Sequence, residues 1–358
     1  MRFTDLKWFA RCILIGVFAL AGCAGAGSTV GGGASGLPTA LARPGGASLV
    51  YIGGVGRAKG PWYEAALRSP RIRFRNAGKS TGGIYVATAF SYSLYEYGAP
   101  YAKNRKPRCA ISGIVGPNAI GVDRSGTLWV PQQIDDSGDN EITSYAPGCG
   151  TPGVTLTDPN GASAGIAFDS KHTSYVLDVL TYASGFTTGG LSVFPKGQTS
   201  PSRVLTDGID GEGFAVGVDS KDNVYVLYMN ASNTGTVVEF KKGKNPGITL
   251  GVATDQRPGG TLVFDKNDNM VVDENNVVAT ALVFAPPYNG APASSPLMGG
   301  SWQCSFDKPM AHFACADYGN NSVDIFSYPA LSYLYSLDNG LPPSDFVIGT
   351  AYDPAARN

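Results

Sequence analysis

The sequence predicts an all-β fold, a six-bladed β-propeller of four-stranded antiparallel blades, and two observations support this prediction. The first is a strand–turn–strand pattern, clearest at 120–130, in which apolar residues alternate on both sides of an Asp-Arg-Ser-Gly turn. The second is the recurrence of this pattern about every 42 to 50 residues, a period typical of four-stranded propeller blades. The aspartates of the recurring turns are Asp123, Asp169, Asp219, Asp265, Asp307 and Asp353.

The N-terminus predicts export. Residues 1–22 combine basic residues with an apolar run that is too short to span a bilayer, which is the pattern of a secretory signal peptide. The run ends in Leu-Ala-Gly-Cys, which resembles the bacterial lipobox, and this resemblance implies that Cys23 is acylated. The alternative is an ordinary signal peptide in which Cys23 has no such role. An acylated Cys23 would anchor the chain to a membrane that the chain does not cross.

The lipobox resemblance also implies a location. Ala24 stands where an Asp would retain a lipoprotein at the inner membrane. The expected location is therefore the bacterial cell envelope, at the outer membrane or the cell surface if the host is Gram-negative. The partner expected at this end of the chain is the membrane itself, reached through the lipid.

Three segments are predicted after the signal peptide. Residues 23–47 consist of Gly, Ala, Ser and Pro with almost no large apolar side chains, so we expect a flexible tether. Residues 48–82 are an N-terminal arm with a basic cluster, and residues 83–358 form the propeller. The segment 346–353 repeats the inner-strand pattern with nothing after it to pair with. We expect it to pair with Ile84–Ala87, because this closes the ring and removes two exposed sheet edges.

The cysteines predict two disulfides. The signal peptide and the lipobox account for two of the 6 cysteines, which leaves four in an exported domain, where disulfides form. Cys304 and Cys315 flank one hairpin turn and can face each other across it. Cys109 and Cys149 lie near the outer strands of consecutive blades. These are the expected pairs, although four cysteines allow three connectivities.

The hairpin motif, written Phe/Val-Asp-x-x-Gly/Asn-x-Leu/Val-Tyr/Trp-Val, and the stretch 316–328 together carry a family likeness. By these residues the chain resembles NHL-repeat and related six-bladed propellers, over about residues 83–354. The resemblance implies a fold more than an activity, because propellers serve as enzymes and as binding platforms alike. The net charge of −1 gives no basis for nucleic-acid binding, and we expect a monomer.

The candidate site is the face of the propeller that bears the loops between second and third strands. These loops are polar and acidic and surround the central channel, and their candidate ligand-facing residues are Gln132, Asp135, Asp136, Asn230, Asn275 and Asn320. Carboxylate oxygens are the ligands that Ca²⁺ takes, so Ca²⁺ is the one cofactor considered. The candidate metal ligands are Asp178, Asp273, Glu274 and Asp317. The alternative is that all of these are solvated loop residues at strand ends.

Two functions from different classes follow. The first is a non-enzymatic, lipid-anchored binding module that holds a protein or glycan partner through the loops. The alternative is a metal-dependent hydrolase similar to the gluconolactonase-type propellers, in which a metal ion would polarise the carbonyl group. The sequence departs from that resemblance, since no early-blade Glu stands at the start of an inner strand. A structural scaffold without a small ligand is the third possibility.

Overall fold

The structure is a computed structural model. It describes residues 41–42, 48–49, 82–89, 91–99, 101–114, 116–133, 140–181, 187–254, 257–275, 279–297, 299–343 and 345–353. The predicted signal peptide, the acylation site Cys23 and most of the tether and arm lie outside these residues. In that part of the chain the structure describes only β1 (Leu41–Ala42), which pairs antiparallel with β2 (Ser48–Leu49). No helix in the described part is long and apolar enough to cross a membrane.

Six four-stranded antiparallel sheets form a closed ring, and each sheet is one blade. From the channel outwards, blade 1 contains β26 (Val347–Tyr352), β3 (Gly83–Thr88), β4 (Ser93–Gly98) and β5 (Cys109–Ser112). Blade 2 contains β6 (Gly121–Val122), β7 (Leu128–Gln133), β8 (Asn140–Tyr145) and β9 (Pro152–Asp158). Blade 3 contains β10 (Ala162–Phe168), β11 (Ser174–Thr181), β12 (Thr187–Phe194) and β13 (Arg203–Leu205).

The remaining three blades follow the same order. Blade 4 contains β14 (Glu212–Val218), β15 (Val224–Met229), β16 (Gly235–Phe240) and β17 (Ile248–Ala253). Blade 5 contains β18 (Pro258–Phe264), β19 (Met270–Glu274), β20 (Thr280–Phe284) and β21 (Ala293–Pro296). Blade 6 contains β22 (Ser301–Phe306), β23 (His312–Asp317), β24 (Ser322–Ser327) and β25 (Tyr333–Leu337). The predicted fold class is confirmed.

The ring closes in blade 1, as the sequence predicts. The C-terminal strand β26 pairs antiparallel with β3, in a register that runs from Val347 opposite Thr88 to Tyr352 opposite Ile84. Both strands are buried along their whole length. Contacts from the two ends of the described propeller therefore meet in one sheet, and no unpaired inner edge remains there.

The side chain of Gln303 adds a second link across this closure. Its Nε2 donates to the carbonyl oxygen of Ile120 at 2.8 Å, and the backbone N–H of Ile120 donates to its Oε1 at 3.0 Å. The backbone N–H of Thr350 donates to the same Oε1 at 3.2 Å. Because blade 1 lies between blades 6 and 2 in the ring, one amide group from blade 6 holds the inner strands of three blades together.

The six inner strands line a central cavity of about 320 Å³. The inner strands of blades 4 and 5 lie so close together that β14 requires a glycine where it faces β18. A Cβ added at Gly217 would lie 2.4 Å from Leu262 Cδ2 and 2.5 Å from Leu262 O, so no side chain fits between blades 4 and 5 there. The cavity wall is mostly apolar, and its polar members are few: Arg124, Gln303, Ser305, Thr350 and Tyr352.

Two disulfides are present in the structure, and they join the pairs expected from the sequence. Cys304 and Cys315 occupy directly opposed positions on β22 and β23 within blade 6. Cys109 begins β5 of blade 1, whereas Cys149 follows β8 of blade 2. The second bridge therefore fastens the closing blade to its neighbour.

One face of the ring, which we call the turn face, consists of the hairpin turns between first and second strands. In the turn of blade 4, Asp219 Oδ1 accepts hydrogen bonds from the backbone N–H groups of Lys221 at 2.9 Å and Asn223 at 2.8 Å, and Tyr225 OH donates to its Oδ2 at 3.1 Å. Asp123, Asp169 and Asp265 accept from the same two backbone positions of their turns. Asp307 accepts instead from the backbone N–H groups of Ala311 and His312. The turn aspartates are therefore structural.

Neighbouring turns are also bonded to each other. Ser170 of blade 3 donates to Asp222 of blade 4 through its backbone N–H at 2.8 Å and through its hydroxyl at 2.7 Å. Ser220 of blade 4 repeats both bonds to Asp268 of blade 5, at 3.0 and 2.7 Å. The turn face is thus a polar network whose groups are satisfied by one another.

Candidate functional site

The opposite face, which we call the loop face, bears the loops from second to third strands and the connections from each blade to the next. Asp135 and Asp136 lie outside the described residues. Gln132 is buried and donates to Thr143 Oγ1 at 2.9 Å. Asn230 caps its own turn by accepting from the backbone N–H of Ser232 at 2.9 Å. Both side chains therefore make contacts within their own blades.

Two of the candidate metal ligands are buried inside blades. Asp273 is fully buried beneath Gly259, and its Oδ1 accepts from the backbone N–H of Thr261 at 2.9 Å. Burial raises the pKa of Asp273 to about 7, although hydrogen bonds from Ser301 and Thr261 oppose this shift. Glu274, the next residue, is also buried. These side chains lie within the sheet of blade 5.

Asp178 belongs to a carboxyl pair between blades 2 and 3. Ser192 Oγ lies 2.7 Å from Asp178 Oδ2 and 3.1 Å from Asp158 Oδ1, so one hydroxyl lies between the two carboxyl groups. Burial raises the pKa of Asp158. Burial, and then the charge of Asp158, raise the pKa of Asp178 well above its ordinary value. A neutral carboxyl in this pair is therefore favoured.

Asp317 belongs to a second pair, within blade 6. Its Oδ1 accepts from the backbone N–H of Gly319 at 2.8 Å, and Asn320 Nδ2 donates to its Oδ2 at 2.7 Å. Asp324 accepts from the hydroxyls of Ser322 and Ser336 at 3.0 and 2.7 Å. Burial, followed by the charge of Asp317, raises the pKa of Asp324 to about 7.

The candidate metal ligands do not converge in the described part of the ring. Only one group of three ligating side chains of the His, Cys, Asp and Glu types is found there, consisting of Glu96, Cys109 and Cys149. Its two cysteines form a disulfide, and the carboxylate of Glu96 pairs with Arg108. This group lies at the outer part of blade 1, away from the channel.

A Gly-x-Ser-x-Gly match at 161–165 lies in β10 and the residue before it. A nucleophile of the hydrolase type requires a sharp turn from a strand into a helix. Ser163 instead lies in an inner strand, where its carbonyl oxygen accepts from Asn118 Nδ2 at 2.6 Å. This serine therefore lacks the backbone geometry of a hydrolase nucleophile.

The structure brings together a set of residues that the sequence analysis did not select. We call it the channel-mouth cluster: Glu212, Phe214, Arg257, Trp302 and Tyr318. Glu212 and Phe214 begin the inner strand β14, Arg257 directly precedes the inner strand β18, and Trp302 is the second residue of the inner strand β22. Tyr318 directly follows β23. All of these positions lie at the loop-face end of the channel, in blades 4, 5 and 6.

Aromatic rings connect the members of the cluster. The guanidinium carbon of Arg257 lies 5.5 Å from the centroid of the Phe214 ring, within the range of a cation–π contact. The Phe214 and Trp302 rings have centroids 6.2 Å apart. The hydroxyl of Tyr318 is 3.5 Å from Asn275 Oδ1, and the backbone N–H of Asn275 donates to the carbonyl oxygen of Arg257 at 2.8 Å. The predicted ligand-facing residue Asn275 therefore borders the cluster.

Four buried polar atoms of this cluster have no hydrogen-bond partner among the described residues. They are Glu212 Oε2, Arg257 Nε, Arg257 Nη2 and Trp302 Nε1. Glu212 is 3% exposed and Trp302 is 7% exposed, so water does not cover their side chains. A buried polar group without a partner costs about 1–3 kcal/mol. Such groups are expected at a site that a ligand satisfies.

Burial shifts the pKa values of both charged residues of the cluster so that the neutral form of each is favoured. Burial raises the pKa of Glu212 to about 7, although the nearby Arg257 charge opposes this shift. Burial lowers the pKa of Arg257 to about 10, and the Glu212 charge opposes that shift. Glu212 and Arg257 thus influence each other, but no ion pair joins them in the described structure. Titratable groups with strongly perturbed pKa values are typical of functional sites.

The missed residues left one usable signal in the sequence. Glu212 stands at the start of an inner strand, which is the position that the gluconolactonase comparison required in an early blade. It lies in blade 4 instead. A closed ring has no physically first blade, so a Glu at the start of any inner strand can face the channel mouth. Nothing in the sequence marks Arg257 and Trp302 as neighbours of Glu212.

Comparisons with known proteins support the fold. No protein-family model and no curated protein sequence matches the chain, so the NHL-repeat resemblance has no support beyond the residues themselves. Among solved structures, the chain is similar to one described as the crystal structure of a nidogen/laminin complex, with a TM-score of 0.58 and 15% identity over 77% of this chain and 100% of that chain.

A second similar structure is the hydrazine synthase of Kuenenia stuttgartiensis, with a TM-score of 0.52 and 11% identity. The alignment covers 76% of this chain and 86% of that chain. At these identities the similarity establishes the fold alone. The chain is a six-bladed β-propeller, and its activity has to be argued from its own residues.

Proposed function

We propose that this chain is a non-enzymatic binding propeller of the bacterial envelope, anchored by lipid at Cys23, that holds its partner at the loop face. The observation that supports this proposal is the channel-mouth cluster, where Glu212, Arg257 and Trp302 leave buried polar atoms unpartnered. A partner that hydrogen-bonds these atoms would recover their desolvation cost on binding. In the described turns of the opposite face, carboxylates such as Asp219 are instead bonded by the backbone of their own turns.

The alternative, a metal-dependent hydrolase, has no specific support in the described residues. Asp178, Asp273 and Asp317 are hydrogen-bonded within or between blades and do not share a site. The hydrolase function is therefore kept only as a result that the following experiment could give. Thermal melting of the purified protein with EDTA, and then with Ca²⁺, separates the two functions. A Ca²⁺-dependent rise in melting temperature that is lost in Asp273→Ala would locate a metal site, and hydrolysis of lactones and esters would then be assayed.

The binding function is tested with arrays of glycans and peptides. We expect the wild-type protein to bind a defined group of ligands and Arg257→Gln to lose that group. Arg124→Gln is the matched control, because Arg124 is an exposed arginine in a hairpin turn on the opposite face. Equal binding by wild type and Arg257→Gln would refute the assignment to this cluster. Incorporation of labelled palmitate that is absent in Cys23→Ala would test the anchor.

A further inference from the structure

The unpartnered atoms of the channel-mouth cluster are mostly donors. Arg257 Nε and Nη2 belong to one edge of the guanidinium, where two N–H bonds point in the same direction. This edge is the fork that binds the two oxygens of a carboxylate or phosphate. Trp302 Nε1 adds a third N–H donor. The single acceptor among the four atoms belongs to Glu212. A ligand that satisfies these atoms must therefore present several acceptor oxygens.

The charge balance selects among acceptor-rich ligands. An ionised Glu212 next to Arg257 gives a neutral pair, and one added anionic group would leave the buried site with a net negative charge. Protonation of Glu212 removes this excess, and the neutral acid then becomes a fourth donor. Because burial already raises the pKa of Glu212 to about 7, this protonation is accessible near neutral pH. A ligand with a single negative charge is balanced in this way, whereas a doubly charged phosphate is not.

Aromatic groups border the same site. The Tyr318 ring is half-buried and lies against Gly300, where an added Cβ would come within 2.5 Å of the ring. Glycine at this position lets the ring lie flat over the backbone. Phe214 lies under the guanidinium of Arg257. A carboxylate at the Arg257 fork would therefore place the rest of the ligand next to an aromatic surface, which suits a sugar ring.

From these three observations the geometry points to the carboxylate of an acidic sugar, a uronate, as the ligand group that the channel-mouth cluster binds. The carboxylate oxygens accept from Arg257 Nε and Nη2 and from Trp302 Nε1, and neutral Glu212 donates to the same group. This inference rests on the proposed function, because it names the ligand class of that site. It also predicts a proton uptake at Glu212 when the ligand binds.

The titratable groups around Glu212 limit what else could produce this pH dependence. Arg257 is the only one whose charge acts on Glu212 in the described structure. The charge of Tyr318 would affect the pKa of Arg257. The charges of Asp273 and Asp317 affect the pKa of Tyr318. Burial raises the pKa of Tyr318 to about 12, so it stays neutral in the range considered. The substitution Glu212→Gln therefore isolates the group that takes up the proton.

Isothermal titration of the purified protein with D-glucuronate, D-glucose and N-acetyl-alanine at pH 6 and pH 8 tests the inference. We expect glucuronate to bind the wild type at pH 6, and its affinity to fall by up to about tenfold at pH 8 as Glu212 ionises. Glu212→Gln should bind equally at both pH values. Arg257→Gln should lose at least about tenfold in affinity at pH 6, since its two N–H donors are gone. Arg124→Gln should bind as the wild type does.

Each remaining outcome has a defined meaning. If glucose binds as tightly as glucuronate, the ligand group is not a carboxylate. If N-acetyl-alanine binds as tightly as glucuronate, the ligand does not have to be a sugar. Persistence of the pH dependence in Glu212→Gln would refute the role of Glu212. If glucuronate fails while the arrays show ligands lost in Arg257→Gln, the inference fails and the binding function stands. If neither shows dependence on Arg257, both fail.

Discussion

The pKa values of buried carboxyl groups shift in opposite directions on the two faces of this propeller. On the turn face, hydrogen bonds from Asn269, Tyr328 and the backbone lower the pKa of Asp265 despite partial burial. On the loop face, burial outweighs hydrogen bonding, and the pKa of Asp273 rises to about 7. The turn repeats in nearly every blade, so its polar groups are satisfied locally. The loop-face groups are brought together from different blades, and their hydrogen bonds do not offset burial, so Asp273 titrates near neutral pH.

The largest effect is expected from removing the strand that joins both faces. A chain that lacks residues 346–358 loses β26, so β3 is left with an unpaired edge along the channel. We expect loss of the cooperative melting transition, because closure joins contacts from both ends of the propeller. Circular dichroism on heating measures this. A chain that ends at Asp353 keeps β26 and is the control. Unchanged melting of the longer truncation would show that the ring does not depend on this strand.

A smaller effect is expected from a single turn. Asp219→Ala removes the acceptor of two backbone N–H groups and of the Tyr225 hydroxyl, which is buried. We expect a loss of about 2–3 kcal/mol in the free energy of unfolding, measured in urea. Asp210→Ala, an exposed residue, should change it by less than about 0.5 kcal/mol. Equal effects of the two substitutions would contradict a structural role for the turn aspartates.

The same contrast explains how far the sequence could be interpreted. The turn motif repeats because each copy satisfies itself within a few residues, so Asp123 and Asp219 predict hairpins on their own. The closing strand was predictable because 346–353 repeats an inner strand without a partner. The two disulfide pairs were the ones expected from their positions relative to these hairpins, among three possible connectivities. Local order was therefore visible in the sequence, and so was the strand pairing that closes the ring.

Two features were not predictable for physical reasons. The outer strand Ala293–Pro296 of blade 5 is mostly exposed and contains no large apolar residue, so it has no hydrophobic alternation. The channel-mouth cluster draws on blades 4, 5 and 6. The contact of Arg257 with Phe214 and its electrostatic effect on Glu212 exist only once the ring has formed. The selected candidates Asp178, Asp273 and Asp317 were recognisable as acidic, but their burial inside blades depends on neighbours that the sequence does not identify.

The smallest effect is expected from replacing one carboxyl group by an amide. The sign of the change in the free energy of unfolding should differ between the two faces. Burial and Asp317 raise the pKa of Asp324 from 3.8 to about 7, so between these values the folded protein holds a proton that the unfolded chain releases. Its stabilising effect is full below the unfolded pKa and is lost as the pH rises through about 7. We therefore expect Asp324→Asn, which keeps a neutral side chain of the same shape, to stabilise the protein more at pH 8 than at pH 5, by about 1–2 kcal/mol. The control is Asp222→Asn on the turn face, where the hydrogen bonds from Ser170 lower the pKa of the carboxyl despite some desolvation. That substitution should destabilise at pH 8 and lose its effect in acid. Urea unfolding at both pH values measures the two variants, and the same sign for both would mean that the faces do not differ in how they hold charge.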